Sequence, residues 1–262
     1  MRLATWNVNS LKARLPRVEA WLAEAVPDVV CLQETKLADD AFPALSFHAL
    51  GYEGVHHGEG RWNGVAILSR VGLDAPSFGF APDGEIVADE ARIVSATCAG
   101  VRVASVYVPN GRALDDPQYA FKLEWLARLR SHLEVAWDPS TPVVLCGDFN
   151  IAPTDDDVWD ATAVHGATHV SAPERAALAE LEAWGLVDVF RQQNPEPGVY
   201  SWWDYRAGAF HKNLGMRIDL VLASEALAGR AVGAFIDRNA RKGQKPSDHA
   251  PVVVDFDLKE LG

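Results

Sequence analysis

Six apolar stretches of this chain run into, or carry, residues able to do acid–base, metal or hydrogen-bonding chemistry. Lys245-Pro246-Ser247-Asp248-His249-Ala250-Pro251 sets an acid beside an imidazole just before the apolar run Val252-Val253-Val254. A strand end is a rigid mount, and an Asp–His pair there offers a metal ligand or a proton-transfer group. Leu3-Ala4-Thr5-Trp6-Asn7-Val8-Asn9 ends in two amides, and Asp28-Val29-Val30-Cys31-Leu32-Gln33-Glu34 ends in a carboxylate. Val101 to Val108 carries Tyr107 and runs into Pro109-Asn110, and Pro142 to Gly147 delivers Asp148-Phe149-Asn150. Arg217-Ile218-Asp219-Leu220-Val221-Leu222 places a carboxylate inside an apolar strand. Such a charge is costly unless paired or coordinated, so Asp219 requires a partner. Strand ends repeatedly rich in Asp, Glu, Asn, Tyr and His point to one convergent site.

Carboxylates, amides, a tyrosine and a histidine, without a candidate serine or cysteine nucleophile, suit hydrolysis by an activated water. A phosphodiester matches this inventory best. Its transition state gathers charge on the phosphoryl oxygens, which Asn side chains, a Tyr hydroxyl and a divalent cation can stabilise. Oxygen ligands such as Glu34 favour Mg²⁺, with Mn²⁺ able to substitute, over zinc. Glycoside hydrolysis fits less well, because it needs two carboxylates and not this set of amides.

The elements that must hold these residues read as α/β. A first helix is expected over about Leu15 to Ala25, with Pro16 in its first turn and Val18, Trp21, Leu22 and Ala25 on one face. Gly64 to Leu68 and Arg92 to Thr97 read as buried strands. Asp115-Asp116-Pro117 starts a strong helix that runs to about Glu134, with Leu126, Leu129 and Leu133 along one stripe. Pro173-Glu174-Arg175 opens another helix, stopped near Trp184-Gly185. Between them, His165 and His169 stand four apart around Gly166 with no helical pattern, which makes them loop residues and not metal ligands. The order of elements suggests two similar halves, each supplying strands for one sheet and helices to cover it. The expected fold is a four-layer αββα sandwich of two packed mixed β-sheets flanked by helices.

The whole chain, residues 1–262, fits one domain, and its 48% hydrophobic content can fill a large core. No stretch approaches a membrane span, and a first strand at about Leu3 leaves no room for a signal peptide. The three cysteines are odd in number and lie in apolar runs, as expected of buried reduced thiols in a cytoplasmic protein. A formal charge of −12 opposes a polyanionic partner on average, but local patches govern docking. Arg238, Arg241, Lys242 and Lys245 form one such basic patch immediately before Asp248-His249.

Trp6-Asn7-Val8-Asn9, Leu32-Gln33-Glu34-Thr35-Lys36, Tyr107-Val108-Pro109-Asn110, Gly147-Asp148-Phe149-Asn150, Arg217-Ile218-Asp219 and Ser247-Asp248-His249 occur in an order that resembles the exonuclease III family of abasic-site endonucleases. That family lies within the endonuclease/exonuclease/phosphatase superfamily. The resemblance runs from Leu3 to Phe256, and Trp184-Gly185-Leu186-Val187-Asp188 and Ser201 to Arg206 look like its bacterial branch.

The resemblance implies that Glu34 binds Mg²⁺, with Asn7 and Asp248 close to the ion. Asp148 would hold and deprotonate the attacking water, helped by Asn150. His249 would contact the phosphate, oriented by Asp219. Tyr107 and Asn110 would contact the phosphate or the leaving oxygen; whether Tyr107 or another group protonates that oxygen stays open. Trp202, Met216 and Ile218 match the small apolar pocket that accepts a base-free sugar, although some relatives carry an aromatic residue at the position of Met216. Arg112 would enter or flank a DNA groove. The implied enzyme is a monomer that acts on double-stranded DNA at abasic sites and 3′ ends. Rival readings are a relative that hydrolyses inositol or lipid phosphates, and a catalytically silent DNA-binding protein.

Overall fold

A computed structural model describes residues 1–80 and 90–259. Its strands are β1 (Arg2–Asn7), β2 (Val29–Gln33), β3 (Glu53–His57), β4 (Val65–Ser69), β5 (Asp74–Phe78), β6 (Ile93–Cys98), β7 (Val101–Tyr107), β8 (Val143–Asp148), β9 (Leu186–Asp188), β10 (Trp202–Trp203), β11 (Gly215–Met216), β12 (Asp219–Ser224), β13 (Ala231–Ile236) and β14 (Val252–Phe256). Three long helices, α1 (Leu11–Ala25), α3 (Pro117–Ala136) and α4 (Ala172–Ala183), accompany the shorter α2 (Ala44–Ala49), α5 (Val189–Gln193), α6 (Ala209–Lys212) and α7 (Glu225–Ala228).

Two six-stranded sheets run in the orders β13-β14-β1-β2-β4-β3 and β5-β6-β7-β8-β12-β9. Each is mixed, with one parallel pair, β1 with β2 and β7 with β8, among antiparallel neighbours. The central strands are apolar on both faces because both faces are covered. Val29, Cys31, Ile67, Val103, Val144, Cys146 and Val221 fill the layer between the sheets. Trp6, Val30, Leu32 and Leu68 meet α1 and α2 on the outer face of the first sheet. Val106, Leu145, Leu220 and Leu222 meet α3 and α4 outside the second. The four-layer sandwich follows.

The halves do not divide as the element order suggests. β5, β6 and β7 cross into the second sheet, and β13 and β14 return to complete the first, with β14 pairing directly with β1. This exchange carries the His249 segment to the same end of the molecule as Asn7.

Helix α1 also starts a turn earlier than Pro16 implies. Ser10 Oγ caps it by accepting from Ala13 N, and the buried Leu11 anchors its first position. Pro16 therefore sits inside the helix, where its missing N–H removes a backbone hydrogen bond. Helices α3 and α4 start where capping residues dictate: Asp116 accepts from Gln118 N, and Ser171 and Glu174 form a reciprocal capping box.

Candidate active site

The carboxyl ends of β1, β2, β7 and β8 and the amino ends of β12 and β14 all open on one edge of the sandwich. Asn7, Tyr107 and Asp148 are the last residues of β1, β7 and β8, Asp219 is the first of β12, and Glu34 and His249 flank β2 and β14. Asp148 and Asp219 face each other in register. Gly147 makes this placement possible: at φ +154° a Cβ would lie 1.9 Å from Val106 O, so β8 approaches β7 more closely there than any side chain allows.

Asn7 ties the two sheets together. Its Nδ2 donates to Glu34 Oε1 and to Asp148 Oδ2, both at 2.8 Å, while its Oδ1 accepts from Asn9 N. His249 Nδ1 bonds Asp219 Oδ2 at 2.8 Å, and its Nε2 stands 3.7 Å from Asp148 Oδ2. Asp219, fully buried, thus has the partner that its place in an apolar strand required.

Burial dominates the electrostatics here. It pushes the Asp148 carboxyl up to about 7, opposed by His249 and the Asn7 amide and reinforced by Asp219 and Glu34. Burial works against charge on His249, yet the Asp219 and Asp148 carboxylates and the Asp219 hydrogen bond hold it up to about 10. Tyr107 stays a neutral phenol, pushed well up by burial and by the Glu34 and Asp148 charges.

Ligating atoms of Glu34, Asp148 and His249 all lie within 4.8 Å of one another. Two carboxylates drawn together by one amide, one of them hard to ionise when buried, fit a divalent cation that would relieve their repulsion. Glu34 Oε2 already bonds a cation, the Lys36 ammonium at 2.8 Å. Asp248 does not join this group among the described residues. It accepts from Asn9 Nδ2 (3.0 Å) and Trp202 Nε1 (3.1 Å), and despite burial His249 and these donors hold it below the usual carboxylate range.

Asn150 and Asn110 form the facing wall. Asn110 Nδ2 donates to Asn150 Oδ1 at 3.0 Å, and Asn150 N and Nδ2 donate to Asp148 Oδ1 and Val108 O. Trp202, Met216 and Ile218 meet in one small apolar cluster with Ala152, Val158 and Val164, and Trp202 pairs with Met216 across β10 and β11. Arg112 is solvent-exposed, 3.9 Å from Asp116.

The basic run divides. Lys242 and Lys245 face solvent, whereas Arg241 is 6% exposed, donates to Trp203 O and packs over Tyr205 and Phe210. Arg238 donates to Phe210 O and stacks on Phe210 and Trp203, which commits its guanidinium to the loop even though the residue is exposed. Among the described residues, the side chains of Lys242 and Lys245 alone are left unengaged in that run.

Four residues at the site escape the sequence reading. Lys36 bridges Glu34 and Asn9 Oδ1 (2.7 Å). His169 turns its Nε2 to Asn110 Nδ2 at 3.3 Å, and burial, then the Lys122 charge, lower it to about 4, so the ring is neutral. It is a loop residue as read, but a loop residue against the site. Lys122 and Glu174 lie fully buried beneath it. One signal for Lys122 was present, a charge on the same helical stripe as Leu126, Leu129 and Leu133.

A metal-capable acid cluster opposed by an oriented imidazole, on the shared edge of two packed sheets, defines a class of hydrolases. The chain belongs to the Endonuclease/Exonuclease/phosphatase family, whose model matches residues 4–249. It is 36% identical to an exodeoxyribonuclease III of Haemophilus influenzae over 98% of this chain and 100% of that one. An AP endonuclease from Archaeoglobus fulgidus superposes with a TM-score of 0.94 at 40% identity, covering 98% of this chain and 99% of the other. A 3′ phosphatase from Neisseria, solved with its product DNA hairpin, superposes at 0.92 and 42% identity over 98% and 99%.

Proposed function

We propose that this chain is a Mg²⁺-dependent DNA repair phosphodiesterase. It cleaves 5′ of abasic sites and removes nucleotides or blocking groups from 3′ ends of duplex DNA, acting as a monomer in the cytoplasm. Mn²⁺ can replace Mg²⁺. The observation that carries this reading is the cluster of Glu34, Asp148 and His249, with ligating atoms within 4.8 Å. The AP endonuclease and the 3′ phosphatase named above, each near 40% identity over almost the full chain, support both kinds of DNA substrate.

Asp148, titrating near 7, is matched to take a proton from the attacking water at neutral pH. The charged His249, held by Asp219, meets the growing negative charge of the phosphoryl oxygens. The Asn110 and Asn150 amides bind the phosphate, and the Tyr107 phenol, kept neutral, has a proton to give to the leaving oxygen. A divalent cation held by Glu34 with Asp148 or Asn7 would supply Lewis-acid stabilisation of the same oxygens. Trp202, Met216 and Ile218 offer the apolar pocket for a base-free sugar.

The test is purified protein on duplexes carrying an abasic analogue, a recessed 3′ end or a 3′ phosphate, with and without Mg²⁺. Metal-dependent cleavage is expected, and Asp148→Asn should lose it by orders of magnitude while still binding DNA. Hydrolysis of inositol or lipid phosphates with every DNA substrate left intact would overturn the reading. DNA binding without cleavage would leave only a silent relative.

A further inference from the structure

One buried charge has no part in this chemistry. Lys122 of α3 is 0% exposed, a setting that an ammonium tolerates only with its charge balanced and its three protons accepted. Its neighbours on the helix stripe, Leu126, Leu129 and Leu133, pack into the apolar layer under the second sheet. Nothing about that layer asks for a lysine.

The acceptors of Lys122 explain it. Glu174 Oε1 from α4 completes an ion pair. The others are main-chain carbonyls: Asn150 O at 2.6 Å and Asn110 O at 3.4 Å. Both belong to the asparagines whose amides form the facing wall of the site. Glu174 extends the same junction to a third segment, accepting from Thr168 Oγ1 (2.8 Å), His169 N (2.9 Å) and Ser171 N (3.0 Å). Thr168 Oγ1 also lies 3.1 Å from Asn110 O. The loops after β7 and β8 and the loop before α4 therefore meet at one ion pair.

The backbone around this junction is tightly specified. Asn150 and His169 hold φ of 51° and 81°, left-handed conformations that surrounding contacts must enforce in residues other than glycine. Gly111, at φ +84°, lies so close that a Cβ would stand 2.9 Å from Thr168 Oγ1 and 3.1 Å from Lys122 Cδ. An ion pair with no solvent contact contributes little stability over an apolar pair of the same volume, so stability alone does not account for it.

We propose that Lys122 and Glu174 are positioning residues: they clamp the carbonyls and loops of Asn110 and Asn150 so that both amides face the reacting phosphate. The clamp rests on the phosphodiesterase reading for its role and on geometry for its existence.

The test uses Lys122→Met/Glu174→Gln, which removes both charges with little change in volume. On abasic-analogue duplex under single-turnover conditions the rate should fall by about 10²-fold, the scale expected of a small misplacement of reacting groups. DNA affinity should fall far less than the rate, since the basic surface is untouched, and the Mg²⁺ concentration at half-maximal rate should hold, since Glu34 is untouched. In an Asn110→Ala/Asn150→Ala background the same double change should slow the enzyme little further, because it acts through those residues. A normal rate, or a loss that multiplies undiminished in that background, would overturn the clamp.

Should the double variant not fold, Thr168→Val removes the hydroxyl beside Asn110 O and leaves the ion pair intact. A several-fold slowing that vanishes on Asn110→Ala is expected, and an unchanged rate refutes the proposal. A crystal structure of either variant separates the two readings. Displaced Asn110 and Asn150 side chains support the clamp even in a protein that cleaves no DNA, and unmoved ones sink it even in an active enzyme.

Discussion

Replacing Asp219 by Asn perturbs one charge and leaves an oxygen able to accept the His249 Nδ1 proton. The wild-type ring titrates at about 10 against an ordinary 6.5. At about 1.36 kcal/mol per pKa unit, that gap corresponds to roughly 5 kcal/mol in favour of the imidazolium. Burial works the other way, so the neighbouring carboxylates supply all of it, Asp219 first and Asp148 second. A single opposite charge in contact shifts a pKa by about 1–3 units, which brings His249 of the variant to about 7–9. The sign for stability follows from the raised value. Stabilisation by the protonated ring is complete below the unfolded value of 6.5 and is lost as pH rises through about 10. The variant must lose it at correspondingly lower pH. Ring-carbon NMR of metal-free protein across this range, with His249→Asn to assign the resonance among eight histidines, measures the shift directly. Turnover should fall by about 10²–10⁴-fold in Asp219→Asn and in His249→Asn, and the double variant should be little slower than either. An unchanged His249 titration, or losses that multiply, would refute the coupling of Asp219 to His249.

Two further outcomes follow from the site. Because burial holds the Asp148 carboxyl near 7, Mg²⁺ affinity measured by calorimetry should rise with pH up to about 7 and flatten above it. Glu34→Ala should raise the metal concentration required for activity, with excess Mg²⁺ restoring part of the rate; an unmoved metal titration would place the ion elsewhere. In the basic loop, neutralising Lys242 and Lys245 together should weaken DNA binding at all sequences and flatten the log–log salt slope by up to ~2, at about 0.9 per phosphate contact. Arg241→Ala should act differently, lowering the melting temperature because that guanidinium is buried on Trp203 O and two aromatic rings. A salt slope unchanged in the lysine variant would move the duplex contact to Arg112, Arg206 or Lys212.

The central strands were legible because each is a continuous apolar run, and most of them carry a functional residue at one end. The four edge strands β3, β5, β9 and β13 were not, since a strand paired on one side needs no continuous apolar run. β3 reads Glu-Gly-Val-His-His and β5 Asp-Ala-Pro-Ser-Phe, which is surface composition. Asp219 betrayed its pairing through the cost of an isolated charge among Ile218, Leu220 and Val221, and His249 met it. The division of the basic run was hidden, because sequence spacing does not say whether an arginine stacks inward on Tyr205 and Phe210 or stays free. Lys122 and Glu174 went unseen for a related reason. A capping box accounts for Glu174 locally, and nothing local links residue 122 to residue 174.

The return of the last strands to the first sheet ties the completeness of the site to the far end of the chain. Glu34, Tyr107 and Asp148 come from the early and middle chain, whereas His249 arrives only when β14 docks beside β1. Without the pairing of β14 to β1, Glu34 and Asp148 would stand without the imidazole, and β1 would become an edge of the first sheet. Hydrolytic competence therefore depends on the chain's last strand: a molecule without the β14–β1 pairing lacks the imidazole that completes the site.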